Sequence, residues 1–234
     1  MWKILRFDQL DSTNAYAKRN CSLIENQTVV IAKTQTAGRG RMTRTWLSEP
    51  GGLYFSILLK PAQTAYLPNL TQLMALAVCQ TIRTLGAEAQ LKWPNDVLVG
   101  QKKICGILSE AITSVKGFQA LVLGVGVNVD QVDLSHVEQP AISLRSIGIH
   151  TDTETVLQQV LDRFFALYPT VLKNGFSAIR TDYLTYFPYI GKEVTITHGV
   201  HPACGTVQTI SPNGELVLNT PEGQTIISIG DMCI

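Results

Sequence analysis

The chain of 234 residues is 45% hydrophobic and 16% charged, which is typical of a packed globular protein and argues against a disordered one. Its 19 basic and 18 acidic residues leave a net charge of +1, which disfavours bulk binding of nucleic acid. The five cysteines are widely spaced and include no C-x-x-C pair, so neither a disulfide framework nor a zinc cluster is indicated.

The N-terminal residues and the apolar runs argue against export and membrane insertion. Lys3, Arg6 and Asp8 interrupt the apolar core that a secretion signal requires. The longest apolar run, at residues 120–125, is far too short to span a bilayer. We therefore expect a cytoplasmic protein with reduced thiols and no membrane partner.

Turn residues and apolar periodicity predict an α+β domain over residues 1–187. Asp11 or Ser12 can cap a first helix that ends near Arg19. Strands are predicted where β-branched and aromatic residues cluster, at residues 29–32, 53–59, 89–93, 97–99, 104–108 and 117–129. Further helices are predicted at residues 70–85, 153–172 and 177–186, and the second of these can bend at Pro169.

The character of the sequence changes after Pro188. Short strand-like runs at residues 193–197, 205–210, 215–219 and 224–229 are separated by turns rich in Gly, Pro and Asn. Such runs are typical of a small β-barrel. We therefore predict a second domain over residues 188–234.

Residues 36–46, here called the Arg/Gly loop, concentrate positive charge in a nearly neutral chain. The loop contains Arg39, Arg41 and Arg44 and two glycines but no acidic residue. Glycine lets backbone N–H groups approach a ligand, and guanidinium groups make bidentate contacts with carboxylate and phosphate. The pattern predicts an anion-binding site. We expect the empty loop to be mobile, because its arginines repel one another and have nothing to order them.

The Lys-Trp-Pro-Asn-Asp segment at residues 92–96 predicts a stiff turn with a carboxylate at its end. Proline fixes its own φ angle and biases the preceding residue towards an extended conformation. Lys103 closes the hairpin predicted at residues 100–103. Asp96 and Lys103 can therefore lie near one another at one end of the paired strands.

A third segment, Gly-Val-Gly-Val-Asn at residues 124–128, places alternate glycines in a predicted strand. Such glycines let a flat ligand or another backbone approach closely, and Asn128 can both donate and accept a hydrogen bond. The chain lacks a G-x-x-x-x-G-K-[ST] motif and a complete G-x-G-x-x-G motif. A nucleotide would therefore bind here by other means.

With these residues in view, the chain resembles the biotin protein ligases. The matching segments are Ser-Thr-Asn at residues 12–14, Gln-Thr-Ala-Gly-Arg-Gly-Arg at 35–41 through Trp46, the segment at 92–96, Lys-Ile-Cys-Gly-Ile-Leu at 103–108, and the segment at 124–128. They occur in this order through nearly the whole chain. The resemblance implies an α+β fold: a mixed-sheet catalytic domain of the class II synthetase type, related to the lipoate ligases, and an SH3-like β-barrel.

The resemblance also implies a two-step ligase reaction. The biotin carboxylate attacks the α-phosphorus of ATP, with Mg2+ as a cofactor, to form biotinyl-5'-AMP. A lysine amine of a biotin carboxyl carrier protein, the acetyl-CoA carboxylase subunit, then attacks this anhydride. Both steps require positioned cations and the exclusion of water.

Three sets of site residues follow from the resemblance. The implied biotin-binding residues are Ser12, Thr13, Asn14, Gln35, Gly38, Arg39, Arg41, Lys103 and Gly106. The implied nucleotide-binding residues are Arg39, Arg41, Arg44, Trp46, Lys92, Asn95 and Asn128. The implied catalytic residues are Lys103, Arg41 and Asp96, with Lys103 bridging the biotin carboxylate and the α-phosphate. No residue is assigned as a metal ligand.

Two of these roles have alternatives at the level of sequence. Asp96 can help to bind the metal, orient Lys103 or accept a proton from the incoming lysine. Trp46 can pack against the adenylate or its covering loop, or it can be a plain hydrophobic anchor.

The chain departs from the family pattern in two places. The loop of relatives often continues Gly-Arg-Gly-Arg-x-Gly-Arg, whereas Met42 and Thr43 precede Arg44 here. The loss of a glycine should stiffen the loop and change its retention of the adenylate. In addition, the basic residue that some relatives place near the end of the barrel has no counterpart, which weakens the case for contact between barrel and nucleotide.

Three other functions are less consistent with the sequence. Only eleven residues precede Ser12, which leaves no space for the DNA-binding winged helix of a biotin repressor, so we expect no DNA partner. The Arg/Gly loop and residues 92–96 favour biotin over lipoate or octanoate. Arg41 and Lys103 argue against a non-catalytic sensor. The protein is expected to be a monomer or a homodimer.

Overall fold

Two β-sheets organise the chain, which a computed structural model describes at residues 2–135, 137, 139–197 and 202–233. The strands of the first sheet are β1 (Lys3–Leu10), β2 (Thr28–Gln35), β3 (Leu53–Leu59), β4 (Ala89–Lys92), β5 (Asp96–Val99), β6 (Lys102–Ser114) and β7 (Gly117–Val127). Their order is β1-β2-β3-β7-β6-β5-β4. The sheet is mixed, since β1 is parallel to β2 and the other pairs are antiparallel.

Helices cover both faces of this sheet. The described residues form α1 (Thr13–Arg19), α2 (Asn69–Thr84), α3 (Thr153–Asn174) and α4 (Arg180–Thr185), and short 3-10 helices at Arg145–Ile147 and Gly175–Ala178. Helix α1 begins where the Ser12 hydroxyl accepts a hydrogen bond from the Ala15 N–H, and Asp152 caps α3 in the same way. None of the described helices is long and apolar enough to cross a membrane.

The alternation of side chains along β3 explains the two cores. Every side chain of β3 is buried, as expected for a central strand that is covered on both faces. Leu58 points into a small core with Ala17 of α1 and Val122 of β7. Phe55 and Ile57 point into the larger core, which also contains side chains of α2, α3 and the second sheet.

The second sheet corrects the prediction of a closed barrel. Its strands are β8 (Glu193–Thr197), β9 (Ala203–Ile210), β10 (Leu216–Thr220), β11 (Gly223–Ile227) and β12 (Asp231–Cys233). They pair in the order β11-β10-β9-β8-β12, and within the described ranges no pairing joins the edge strands β11 and β12. The short β12 pairs only with β8, while the carbonyl of the preceding Gly230 accepts a hydrogen bond from Arg41. The sheet is therefore open.

Buried hydrogen bonds attach the second sheet to the first. The Gly214 carbonyl, in the turn before β10, accepts from Trp93 Nε1 at 3.0 Å and from Gln72 Nε2 at 2.7 Å. Asn69 Nδ2 donates to the neighbouring Asn213 carbonyl at 2.8 Å. Trp93 therefore fixes the second sheet against α2 rather than facing a ligand. As a consequence, β12 lies beside the Arg/Gly loop.

The other elements predicted from local patterns are present, but the helix predicted at residues 177–186 is divided into a 3-10 helix at Gly175–Ala178 and α4, and two strands were not predicted. The strand predicted at residues 104–108 extends over Lys102–Ser114. Strand β1 was not predicted because Lys3, Arg6 and Asp8 interrupt its apolar pattern, and none of its side chains is buried, as is typical of an edge strand. Strand β12 has only three residues and carries too little pattern to be recognised. Helix α3 continues past Pro169 to Asn174.

Candidate active site

An open cavity lies between strands β5–β7 and the Arg/Gly loop. Segments that are far apart in the sequence form its walls, including the start of α1, the turn at residues 92–96 and strand β12. The predicted site residues that line it are Ser12, Thr13, Asn14, Gln35, Arg39, Arg41, Arg44, Trp46, Asn95, Asp96, Lys103, Gly106 and Asn128. The fold therefore brings most of the predicted site residues to one place.

Gly38 and Lys92 are the two predicted site residues that do not line the cavity. Gly38 lies beneath the loop, where a Cβ atom would be 2.3 Å from the backbone oxygen of Trp46. The Gly38 carbonyl accepts a hydrogen bond from the Trp46 N–H at 3.0 Å, so this glycine lets the two ends of the loop approach. Lys92 is opposite Asp96 in the β4–β5 hairpin, but only Asp96 reaches the cavity wall.

Lys103 and Asp96 form an ion pair in the cavity wall. Lys103 Nζ lies 2.7 Å from Asp96 Oδ1, and each side chain is 18% exposed. The register between β5 and β6 shifts at Val97, so that Ile104 is an extra residue in β6. A bulge of this kind changes the direction of neighbouring side chains. The proximity predicted from the hairpin is confirmed.

A segment without any motif fixes the backbone of Lys103. The Lys103 N–H donates to the Pro140 carbonyl at 2.8 Å, and the Lys103 carbonyl accepts from the Ile142 N–H at 3.0 Å. Residues of the same segment that line the cavity are Leu134, Val137, Gln139 and Ala141. These residues could not be predicted from the sequence, since no spacing or composition in the segment points to a ligand.

The Arg/Gly loop folds back on itself. The Gly40 N–H donates to the Arg44 carbonyl at 2.8 Å, and Arg39 forms an antiparallel bridge with Thr45. At the tip, Met42 has a left-handed φ of 56°. A non-glycine residue rarely adopts this conformation, so the departure from the family pattern coincides with a strained backbone position.

Each arginine of the loop has a carboxylate partner outside the loop. Arg39 Nη2 lies 3.5 Å from Glu110 Oε2 in β6. Arg41 Nη1 lies 3.1 Å from Asp231 Oδ1, and Arg44 Nη2 lies 2.5 Å from Asp231 Oδ2. The loop was expected to be mobile because its arginines have nothing to order them, and these ion pairs show that this reason was wrong. The loop contains no acidic residue, but strands β6 and β12 supply two.

Arg41 is the most buried of these arginines, with a side chain that is 17% exposed. Besides Asp231, its Nη1 donates to Asn95 Oδ1 at 2.9 Å and to the Gly230 carbonyl at 3.1 Å. Asn95 is held in turn, because its Nδ2 donates to the Ile107 carbonyl at 2.9 Å. The guanidinium group is thus oriented by the turn at residues 92–96 and by the second sheet together.

Trp46 lies against the glycines of the cavity floor. Gly106 of β6 and Gly126 of β7 are directly opposite in the sheet. A Cβ atom at Gly126 would be 2.4 Å from Trp46 Nε1, and one at Gly106 would be 2.8 Å from the Trp46 ring. Lys103 Nζ lies 5.6 Å from the ring centroid. The indole N–H is buried and has no acceptor among the described residues. Trp46 therefore belongs to the cavity and not to the core.

A network of uncharged polar groups forms another part of the wall. Gln35 Oε1 accepts from the Thr13 N–H at 2.8 Å, and Gln35 Nε2 donates to Ser48 Oγ at 2.7 Å. The Ser56 hydroxyl lies 2.7 Å from Thr13 Oγ1 and 2.6 Å from Asn14 Oδ1. These bonds hold the side chains in fixed orientations, as a site for a neutral polar ligand group requires.

Glu110 joins this network to the Arg/Gly loop. It accepts from Asn14 Nδ2 at 2.8 Å and pairs with Lys18 Nζ at 2.7 Å, in addition to Arg39. Burial of Glu110 raises the pKa of its carboxyl, but the hydrogen bonds from Lys18 and Asn14 and the charge of Arg39 outweigh this and lower the pKa. Glu110 is therefore ionised at neutral pH.

Asn128 is held beneath Lys103. Its Nδ2 donates to the Lys103 carbonyl at 3.3 Å, and its Oδ1 accepts from Gln131 Nε2 at 3.3 Å. The Leu144 N–H donates to the Asn128 carbonyl at 3.2 Å. Asn128 therefore lines the cavity in a fixed orientation and braces the backbone of Lys103.

The neutral and cationic parts of the site follow one another along β7. A Cβ atom at Gly124 would be 2.1 Å from Asn14 Oδ1, whereas one at Gly126 would be 2.4 Å from Trp46 Nε1. Two residues of a strand span about 7 Å. The site can therefore hold an extended molecule with a neutral polar group near Asn14 and an anionic group near the arginines and Lys103.

Comparison with known proteins gives matches over almost the whole chain. A sequence model of the biotin/lipoate A/B protein ligase family matches residues 6–128, and a model of the biotin protein ligase C-terminal domain matches residues 189–233. The biotin–[acetyl-CoA-carboxylase] ligase of Paracoccus denitrificans is 30% identical over 233 residues, which cover 95% of this chain and 96% of the relative.

Further matches agree with these. The bifunctional ligase/repressor BirA of Bacillus subtilis is 34% identical over 203 residues, and the chain spans 62% of the length of that relative. Among solved structures, the biotin protein ligase from Aquifex aeolicus in complex with biotin and ATP superposes with a TM-score of 0.88 at 31% identity. This match covers 99% of this chain and 97% of the Aquifex chain.

Proposed function

The chain belongs to the biotin/lipoate A/B protein ligase family, and on that premise we propose that it activates biotin with ATP and transfers it to a carrier protein. The intermediate is biotinyl-5'-AMP, and the acceptor is a lysine of a biotin carboxyl carrier protein. The observation that carries the proposal is the single cavity in which Lys103, Arg39 and Arg41 face a network of neutral polar side chains. The Aquifex relative, which was solved with biotin and ATP, supports it.

The first step joins two anions, the biotin carboxylate and the α-phosphate of ATP. Their repulsion must be offset for the carboxylate oxygen to attack phosphorus and release pyrophosphate. Lys103 and Arg41 are the two least exposed cations of the cavity and can neutralise both groups. We assign the contact with the carboxylate and the α-phosphate to this pair.

The second step transfers biotin from the phosphate to a lysine amine. The amine must lose a proton, the new amide bond forms, and AMP leaves as an anion. Asp96 lies 2.7 Å from Lys103 and is held at the end of the stiff turn. Of the roles open for Asp96, this contact favours the orientation of Lys103 in both steps.

The remaining walls suit the other ligand groups. The Thr13, Gln35 and Asn14 network offers fixed donors and acceptors to the neutral ureido group of biotin. We assign stacking of adenine to Trp46 and a hydrogen bond with adenine to Asn128, since both line the cavity. The two described acidic residues of the cavity, Asp96 and Asp231, are both paired with cations. Mg2+ would therefore arrive with ATP, as part of the substrate, rather than in a cage of protein ligands.

Incubation of the protein with magnesium, ATP, labelled biotin and a carrier domain that contains the target lysine tests this function. We expect ATP-dependent label on the carrier, and none when the target lysine is replaced by arginine. A parallel incubation with labelled lipoate separates the two acyl groups of the family. Absence of label from biotin would contradict the proposal, and label from lipoate alone would assign the other acyl class.

A further inference from the structure

The Arg/Gly loop is held by two carboxylates that belong to different parts of the fold. Glu110 lies in the first sheet and pairs with Arg39. Asp231 lies in the second sheet and pairs with both Arg41 and Arg44. Neither carboxylate belongs to a motif or to the residues assigned to ligands above. Their geometry nevertheless decides where the three guanidinium groups point.

Asp231 is placed to act as a fixed anchor. Its side chain is 15% exposed, and its two oxygens engage different arginines, at 3.1 Å for Arg41 and 2.5 Å for Arg44. The backbone of Asp231 is fixed by pairing with Thr197 in β8. Because the second sheet is attached to the first through Gly214, the anchor has a defined position relative to the cavity floor. Charge-assisted pairs of low exposure are the stronger ones.

Glu110 anchors the opposite end of the loop. Its side chain is 20% exposed and accepts from Asn14 Nδ2 at 2.8 Å, while Arg39 lies at 3.5 Å. Glu110 therefore contacts the neutral polar network through Asn14. Among the contacts of the described residues, Asp231 has none with that network. Each carboxylate thus belongs to one half of the site.

We propose that Asp231 and Glu110 are positioning residues that divide the loop between the two ligands. Asp231 orients Arg41 and Arg44 for the phosphates of ATP, and Glu110 orients Arg39 and Asn14 for biotin. This inference rests on the proposed function for the identity of the two ligands. The positions of the arginines themselves do not depend on it.

Replacement of Asp231 distinguishes positioning of the arginines from a simple effect of charge, because the two predict opposite changes in ATP binding. Replacement of Asp231 by Asn removes one negative charge, so the net charge of the site becomes more positive by one. By simple attraction this change would strengthen the binding of an anion. Positioning predicts the opposite, because Arg41 and Arg44 lose the group that directs them. We therefore expect Asp231→Asn to weaken ATP binding despite the gain in positive charge.

Limited trypsin digestion of the ligand-free protein tests the two anchors without any assumption about ligands. Trypsin cleaves after Arg39, Arg41 and Arg44, and mass spectrometry assigns each cut. We expect Asp231→Asn to accelerate cleavage after Arg41 and Arg44 several-fold, and Glu110→Gln to accelerate cleavage after Arg39. The control is Glu222→Gln, an exposed acidic residue in the β10–β11 turn of the second sheet, which should cleave like the wild type.

Steady-state kinetics of adenylate formation provide the second measurement. We expect Asp231→Asn to raise the KM for ATP about tenfold, which is the fold-change for loss of one charge-assisted hydrogen bond, with a smaller change in the KM for biotin. Glu110→Gln should raise mainly the KM for biotin, by a smaller factor because Arg39 is more exposed. Asp231→Glu retains the charge and should recover part of the ATP affinity.

Each outcome decides for or against the anchors. Cleavage patterns that match the wild type in both variants would overturn the proposal, whatever the activity of the protein. Altered cleavage with equal changes in both KM values would retain the anchors and overturn the division between ligands. A wild-type protein that forms no adenylate would refute the proposed function, while the cleavage result would still report on the positioning of the arginines.

Discussion

The two walls of the cavity are held by different kinds of interaction. The strand wall, formed by Asp96, Lys103, Gly106, Gly124 and Gly126, rests on paired strands and on one ion pair within a hairpin. The loop wall, residues 36–46, rests on ion pairs to Glu110 and Asp231, which are far away in the sequence. The first is fixed by local backbone geometry and the second by side chains from other elements.

This difference suits the proposed reaction. A wall of paired strands keeps the reacting groups in register, since the backbone hydrogen bonds between strands resist displacement. The pairs made by Arg39 and Arg44 are partly exposed, and such pairs contribute about 1 kcal/mol or less each, so a wall held by side chains rather than by strand pairing can open at a smaller free-energy cost. Ligands can therefore enter beneath the loop wall, and the strand wall need not move.

The largest effect should come from the strand wall. Lys103→Ala removes the cation that lies 2.7 Å from Asp96, so we expect adenylate formation to fall about a hundredfold or more. The loss also leaves the Asp96 carboxylate unpaired, with a destabilisation of about 1–3 kcal/mol. Pyrophosphate exchange and thermal unfolding measure the two effects separately.

Lys102→Ala is the matched control for this change. Lys102 precedes Lys103 in β6, but its side chain is exposed. It should therefore retain the activity and stability of the wild type. Near-wild-type exchange by Lys103→Ala would contradict the importance of the strand wall, and equal losses in both variants would point to general charge rather than to the Lys103 position.

The two glycines of β7 allow a direct comparison between the walls. A Cβ atom at Gly124 would meet Asn14 Oδ1 at 2.1 Å, inside the hydrogen-bonded network, whereas one at Gly126 would meet Trp46 of the loop at 2.4 Å. We expect Gly124→Ala to destabilise the fold by about 1–3 kcal/mol, as overpacking does. Gly126→Ala should destabilise it less, because the loop can shift.

Denaturant unfolding and ATP binding together measure this comparison. Gly126→Ala is expected to weaken ATP binding, because Trp46 must leave the cavity floor, while the midpoint of unfolding stays closer to that of the wild type. A larger loss of stability for Gly126→Ala than for Gly124→Ala would show that the loop wall is as rigid as the strand wall.

The strand wall and the loop wall also differ in how far they could be predicted from the sequence. The hairpin that joins Asp96 to Lys103 could be predicted, because a proline, a turn and two strand patterns lie within a short stretch. The partners of the arginines could not, because Glu110 and Asp231 reach the loop only through the sheet order and the docking of the second sheet. Local patterns carry no information about such contacts.

The support of the Lys103 backbone was missed for the same reason. Pro140 and Ile142 hold Lys103 through backbone hydrogen bonds, and such bonds leave no trace in side-chain chemistry. A small β-barrel was predicted from short strands separated by turns, but closure depends on pairing between the first and last edges. The three residues of β12 pair with β8 alone.

Ligand protection should sharpen the contrast between the walls. Arg39 and Arg44 are 48% and 41% exposed, so trypsin should cut the free protein at the loop wall before the strand wall. Biotin and ATP together should slow these cuts several-fold, because added anions bind the arginines and order the loop. Unchanged cleavage with saturating ligands would count against closure of the loop over the site.

The smallest effect should be a dependence of stability on pH through Glu110, which connects the two walls. Its carboxyl has a pKa below the ordinary value of 4.5, so its stabilising contribution is present above that value and is lost as the pH falls through the lowered pKa. The free energy of unfolding of Glu110→Gln should therefore lie about 1 kcal/mol or less below that of the wild type at neutral pH. The difference should shrink towards zero as Glu110 becomes protonated in acid.

Glu222→Gln, which removes an exposed carboxylate, should give no such trend. A difference for Glu110→Gln that stays constant with pH would mean that shape rather than charge holds Arg39 and Asn14 in place.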